Sequence, residues 1–177
     1  MNNKLPIQQS TTIPVFSFAG FSNSGKTTLL CKVIAALKEK GLSVATVKHD
    51  GHEFSMDHQG KDTWKYRQAG AEVVAITSTS KVVMLDYREY ELEQQLLQAL
   101  SHIKNVDIIL VEGFKNVAIP KIFVARELGQ IEQIDRLPMV EGIATDLILE
   151  QQSLPVYDIN NVKAMTEFIV DRFSLQS

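Results

Sequence analysis

Gly20-Phe21-Ser22-Asn23-Ser24-Gly25-Lys26-Thr27 decides the fold, because it meets G-x-x-x-x-G-K-[ST] at every fixed position. Glycines at both ends of such a loop let the chain turn tightly enough for successive backbone N–H groups to point inward at phosphate oxygens. Lys26 reaches the β and γ phosphates as a point charge, and the Thr27 hydroxyl is placed to ligate Mg²⁺. The start of the following helix adds its partial positive charge, and Thr28 adjoins the α phosphate. Gly20, Asn23, Ser24 and Gly25 complete this cradle, which is built mainly of backbone.

The context on both sides agrees. Before the cradle, Ile13 to Ala19 (IPVFSFA) is dense in β-branched and aromatic residues, as expected for a strand buried on both faces. After it, residues 26–40 place Leu29, Val33 and Leu37 on one helical row and Leu30 and Ile34 on the next, and Gly41 is a natural stop. Leu42 to Lys48 returns as a strand, so residues 13–48 form a strand-helix-strand unit of the kind that builds parallel sheets. Further on, the pattern predicts a short helix over 61–69 and strands at 73–77 and 81–85, joined by a turn too short for a parallel crossover. Those two strands are expected to pair as a hairpin within the sheet. An amphipathic helix over 92–103, strands at 106–111, 119–125, 140–144 and near Val156, and a closing helix marked by Val162, Met165, Ile169 and Phe173 complete the pattern. The expectation is an α/β three-layer P-loop NTPase fold with a largely parallel sheet and an antiparallel hairpin, as one domain over 13–177 behind a loose tail over 1–12.

A cradle of this kind needs a carboxylate at the end of a second strand to hold the Mg²⁺ water shell. Glu112, which closes the apolar run VDIILV, fills that role, and the N–H of Gly113 is expected to meet the γ phosphate. Asp107 opens the same strand, at the wrong end of the sheet, and reads as structural. Lys115 offers a second positive charge. The segment 49–60 (HDGHEFSMDHQG) is aperiodic and should open on the cradle's edge of the sheet, where ligands of doubly wound folds collect. Its Asp57 and histidines (His49, His52 and His58) admit three readings: a Mg²⁺ or γ-phosphate sensor, a zinc site, or an ordinary solvated loop. Cys31, Trp64 and Tyr66 read as packing groups, and Arg67 as a surface ion-pairing residue.

Composition removes other classes. The chain has 177 residues, 45% of them hydrophobic and 22% charged, which suits a folded domain. A net charge of −3 provides no broad field for nucleic acid. No apolar run approaches the roughly 18 residues needed to span a bilayer. With a single cysteine and no apolar leader pattern, the expected compartment is the cytoplasm.

GFSNSGKTTLL, TVKHDGH with Asp57, GKDTWKYRQAGA, DIILVEGFK and the Pro120-Lys121 pair of IPKIFVAR occur in that order, and together they resemble the molybdopterin-guanine dinucleotide biosynthesis protein B (MobB) family. The resemblance runs from Ile13 to the C-terminal helix. It implies a homodimeric accessory protein that binds GTP with Mg²⁺, hydrolyses it weakly, and acts beside the MobA-type molybdopterin guanylyltransferase. It also implies that Asn23 to Thr28 hold the phosphates, that Thr27 and Glu112 serve Mg²⁺, that Lys26 and Glu112 carry any hydrolysis, and that Asp57 and the histidines act as a switch. No N-K-x-D guanine reader is present; Asp146, after the strand ending at Ala144, is the candidate base reader. Neither a lysine two residues after Gly20 nor a clear water-orienting glutamine is found, so slow turnover is expected. The alternatives are a small-molecule kinase, for which the scattered Arg67, Arg88, Arg126, Arg136 and Arg172 suggest no lid, and an adaptor that binds nucleotide without hydrolysis.

Overall fold

Strand β1 (Val15–Gly20) is buried from Val15 to Ala19, and its side chains alternate between two cores. Phe16 and Phe18 face one way, while Val15 and Ala19 face the other. This period-2 division is what a strand covered on both faces requires. The computed structural model describes residues 7, 10–51, 54–150 and 152–176. These fall into two compact units, one made of the residues up to His49 together with those from Leu92 onward, the other of Asp50–Glu91.

In the first unit, β1 leads through the cradle into helix α1 (Lys26–Glu39) and then β2 (Val44–Lys48). The second unit holds α2 (Asp62–Gln68), β3 (Val73–Thr77) and β4 (Val82–Asp86). The first then resumes with α3 (Leu92–Ser101), β5 (Ile108–Glu112), β6 (Lys121–Val124), α4 (Leu128–Ile131), β7 (Val140–Thr145), β8 (Val156–Asp158) and α5 (Val162–Phe173). Its six strands form one parallel sheet in the order β2-β5-β1-β6-β7-β8. On one face, Leu29, Val33 and Leu37 of α1 and Met165 and Ile169 of α5 pack on Phe16, Phe18, Ile108 and Leu110. On the other, Leu96 and Leu100 of α3 pack on Val15, Ile109 and Val111. The expected three layers are present.

The hairpin differs from expectation. β3 and β4 are antiparallel, with Ala75 opposite Met84, but they form their own two-stranded sheet and do not join the larger one. Strand periodicity reports pairing potential and not which sheet receives the strand, and no linker composition separates 50–91 from its surroundings. Within this unit Arg67 stacks over the Tyr87 ring, 4.1 Å from its centroid, where a surface ion pair was expected. Tyr66 and Cys31 are exposed, contrary to their reading as packing groups. Of the expected tail, residues 1–6, 8 and 9 lie outside the described residues, and Ile7 is 1% exposed and packs in the cluster with Val15 and Leu96.

Lys121, at the start of β6, is wholly buried among apolar side chains. Its ammonium donates to the carbonyl of Val117 at 2.9 Å and to that of Pro138. It thereby ties the loop before β6 to the loop before β7. Burial lowers its pKa to about 8, with Glu141 opposing the shift. Between about pH 8 and the usual lysine value the unfolded chain holds a proton that the folded chain has lost, so stability rises with pH across that window. Lys121→Met is expected to flatten this rise, as read from urea unfolding of both proteins at several alkaline pH values; parallel profiles would contradict it.

Candidate functional site

The cradle begins where β1 runs out. Gly20 lies beside β6 so closely that a Cβ would stand 2.3 Å from the Val124 carbonyl oxygen. Asn23 and Gly25 take left-handed backbone conformations, with φ of 61° and 89°, which turn the loop inward. α1 then starts with neither a side-chain cap nor an acidic residue in its first turn. Helix starts ordinarily satisfy their orphan N–H groups with such side chains, so this one is left for an external anion. Ser24 is buried, and its hydroxyl has no hydrogen-bond partner. A buried, unpaired hydroxyl in a loop of inward-turned amides fits a ligand rich in acceptor oxygens.

Parallel pairing brings the second strand end alongside. Phe18 of β1 is opposite Glu112 of β5, and Lys48 of β2 is opposite Glu112 on its other side. Glu112 is 6% exposed. The Thr27 hydroxyl lies 2.8 Å and 3.0 Å from its two carboxylate oxygens, and the Lys48 ammonium is 3.6 Å from Oε1. Thr27 and Glu112 therefore stand together as the sequence predicts, a hydroxyl and a carboxylate of the type that holds Mg²⁺ through direct and water-bridged oxygens.

Positive charge gathers on the same edge. The Lys26 ammonium donates to the Phe21 carbonyl at 2.5 Å. Lys115 sits over the Phe21 ring, 4.4 Å from its centroid. The pKa of Lys26 is lowered by partial burial above all; Glu112 raises it, while Lys48 and Lys115 push it down further. Lys48 and Lys115 thus add positive charge around Lys26, against the single carboxylate of Glu112, an excess suited to a polyanion.

Other expected residues take different roles. The Gly113 N–H is spent on the Phe18 carbonyl at 3.0 Å, so it does not serve as a γ-phosphate donor. Gly113 is needed for space: its φ is +95°, and a Cβ would meet His49 at 3.3 Å. His49 joins the site edge, its N–H donating to the Glu112 carbonyl at 2.9 Å and its ring 4.8 Å from that of Phe114. Asp57 accepts from the His58 N–H and Thr63 hydroxyl, and from the Tyr87 hydroxyl at 3.3 Å, so its carboxylate is committed within its own unit. The Mg²⁺ role expected of Asp57 has no support in that geometry. His52 and Glu53 lie outside the described residues. Among the described residues no three His, Cys, Asp or Glu side chains converge as metal ligands. Asp107 accepts from the Ser43 N–H and hydroxyl, and this lowers its pKa; it is structural, as its position at the start of the strand predicts.

One site residue escaped the sequence. Arg126, two residues past β6, donates from Nε to the Ser24 carbonyl at 3.2 Å and from Nη1 to Asp146. Its position after a buried strand was the available signal, but isolated arginines carry no motif.

The family model described as "Molybdopterin guanine dinucleotide synthesis protein B" matches residues 15–146, the whole span from β1 to Asp146. The chain belongs to the MobB family. The Escherichia coli strain K12 protein named "Molybdopterin-guanine dinucleotide biosynthesis adapter protein" is 34% identical over 172 residues, covering 94% of this chain and 97% of that one. A protein of the same name from Haemophilus influenzae is 35% identical, with 92% and 91% covered. Among solved structures, Bacillus subtilis MobB is similar at a TM-score of 0.70 with 28% identity, covering 93% of this chain and 99% of that one. Shared architecture with MobB structures and the cradle between β1 and α1 together place this MobB-family chain in the P-loop NTPase fold. Its family role lies in molybdenum cofactor biosynthesis. Among the described residues, no helix is long and apolar enough to cross a membrane.

A pH test isolates Lys26. An anion held by its ammonium would be released as that group deprotonates, and the lowered pKa moves this below the usual lysine value. Affinity for inorganic tripolyphosphate should fall as pH rises through that lowered value, and Lys26→Arg should hold its affinity to higher pH. Calorimetric titration across alkaline pH checks this, and identical profiles for the two proteins would contradict it.

Proposed function

We propose that this chain binds Mg-GTP and serves as a nucleotide-dependent adaptor for the guanylyltransferase that joins GMP to molybdopterin. The observation that carries the nucleotide part is the Thr27 hydroxyl against the Glu112 carboxylate, at the mouth of a cradle holding a buried, unpartnered Ser24 hydroxyl. Backbone amides of residues 23–28, Lys26 and the start of α1 hold the phosphates. Thr27 and Glu112 would hold Mg²⁺, which would supply neutralisation of phosphate charge. Lys26 and Glu112 carry what hydrolysis occurs. Asp146 reads the base. The guanine and molybdopterin elements rest on family membership, together with the relatives' printed role as adapter proteins.

The protein acts in the cytoplasm, where an exposed, unpaired Cys31 stays reduced. It acts as a homodimer. An isolated two-stranded sheet is marginal in water, and by register Val73, Val82 and Met84 share one exposed face of the β3-β4 pair. A second copy covering that face supplies the missing packing.

Calorimetric titration should show Mg-GTP binding at least about tenfold more tightly than Mg-ATP, a margin of about 1.4 kcal/mol. Lys26→Ala should abolish binding, and Glu112→Gln should remove most of the gain from Mg²⁺. Equal binding of ATP, or an unchanged Lys26→Ala protein, would refute the assignment. Replacing both Val82 and Met84 with Asp should yield monomers by sedimentation equilibrium, and dimers of undiminished stability would place the interface elsewhere.

A further inference from the structure

Arg126 is the one described side chain bonded both to the cradle and to the residue proposed to read the base. Its Nε donates to the carbonyl of Ser24, across 102 residues of sequence, and its Nη1 donates to Oδ2 of Asp146. A Cβ on Gly25 would stand 3.0 Å from Nη2, so the guanidinium closely approaches the cradle's second glycine. The arginine is itself fixed, since its backbone N–H donates to the Gln130 side chain at 2.9 Å. The turn carrying Asp146 is fixed by the Leu147 N–H on the Thr145 hydroxyl at 3.1 Å. Two residues beyond each partner stands an exposed apolar side chain, Leu128 at 62% and Ile148 at 100% exposure. A carboxylate held at a strand end, with an exposed apolar group at the start of α4 and another on the turn beyond it, has the chemistry of a purine site.

We propose that Arg126 is a positioning residue that fixes the Asp146 carboxylate relative to the phosphate cradle, so that guanine is selected only when its triphosphate is seated. This rests on the reading of the cradle as a GTP site. A carboxylate accepts two adjacent N–H groups side by side, which guanine offers at N1 and N2 and adenine does not. Arg126 uses one lone pair of Oδ2, and a carboxylate oxygen has another to offer. The pair by itself is a half-exposed ion pair of the kind that adds little stability, and its value here is geometric. The planar fork, bonded at both ends, sets the distance between the base reader and the phosphates in a way that a lysine's single ammonium does not.

The test compares Arg126→Ala, Arg126→Lys and Asp146→Asn with wild type in titrations with Mg²⁺ and GTP, ITP, XTP or inorganic tripolyphosphate. ITP lacks the N2 amino group, and wild type should favour GTP over it by about tenfold or more. Arg126→Ala should reduce that ratio to within about threefold of one while changing tripolyphosphate affinity by less than about threefold. Arg126→Lys, which keeps the charge, should fall between them and carries the test should the alanine variant not fold. Asp146→Asn should exchange the GTP preference for XTP, whose C2 carbonyl accepts where guanine donates. Equal losses for GTP, ITP and tripolyphosphate in Arg126→Ala would show that the arginine only braces the cradle, and an unchanged ratio would show an idle surface pair; either overturns the proposal. Loss of guanine preference in Asp146→Asn but not in Arg126→Ala would leave the GTP reading standing and this inference refuted. A wild type without guanine preference would remove both.

Discussion

The parallel pairing of β1 with β5 is the constraint on which everything else depends. With Phe18 opposite Glu112, the strand that launches the phosphate cradle and the strand that ends in a carboxylate finish together at one edge of the sheet. Both strands are buried on both faces, so their register is held by packing on α1 and α5 below and α3 above. A slip of one residue would turn Phe16 and Phe18 into the opposite core and carry Glu112 away from Thr27. The site is thus a consequence of core packing, and the acidic group needs no loop of its own to reach the Thr27 hydroxyl.

Electrostatics then set what that edge accepts. Lys48 and Lys115 add positive charge around Lys26, Glu112 opposes it, and burial holds the Lys26 pKa down before any ligand arrives. Such a cluster is self-repelling, and the relief of that repulsion favours a polyanion over a single phosphate. Mg²⁺ would sit against the one carboxylate and the Thr27 hydroxyl, which leaves the ammonium groups to the phosphate oxygens. Lys48 reaches this cluster because its strand pairs with β5 in register, Lys48 opposite Glu112.

Much of this was legible in the sequence because it is written in local pattern. The dense apolar run of 13–19, the helical rows of 26–40 and the run ending at Glu112 each report burial directly, and the cradle motif reports its own turn. What was not legible depends on pairing across the chain. Lys48 read only as the last residue of a strand because its partner lies 64 positions away, and Arg126 read as scattered because its bonds to Ser24 and Asp146 span 102 and 20 positions. The N–H of Gly113 looked available to a phosphate, but the ladder to Phe18 runs one residue past the carboxylate. The β3-β4 pair showed the alternation of a hairpin without showing that it stands apart from the main sheet.

The central claim is that residues 20–28 and the end of β5 together seat a magnesium-bound guanosine triphosphate. Amide hydrogen exchange, followed residue by residue with and without Mg²⁺ and a non-hydrolysable GTP analogue, tests it most directly. The account predicts strong new protection at the amides of Ser24 to Thr28, dependent on Mg²⁺ and lost in the Lys26→Ala protein. Protection confined to residues outside the cradle, or none at saturating ligand, would contradict it.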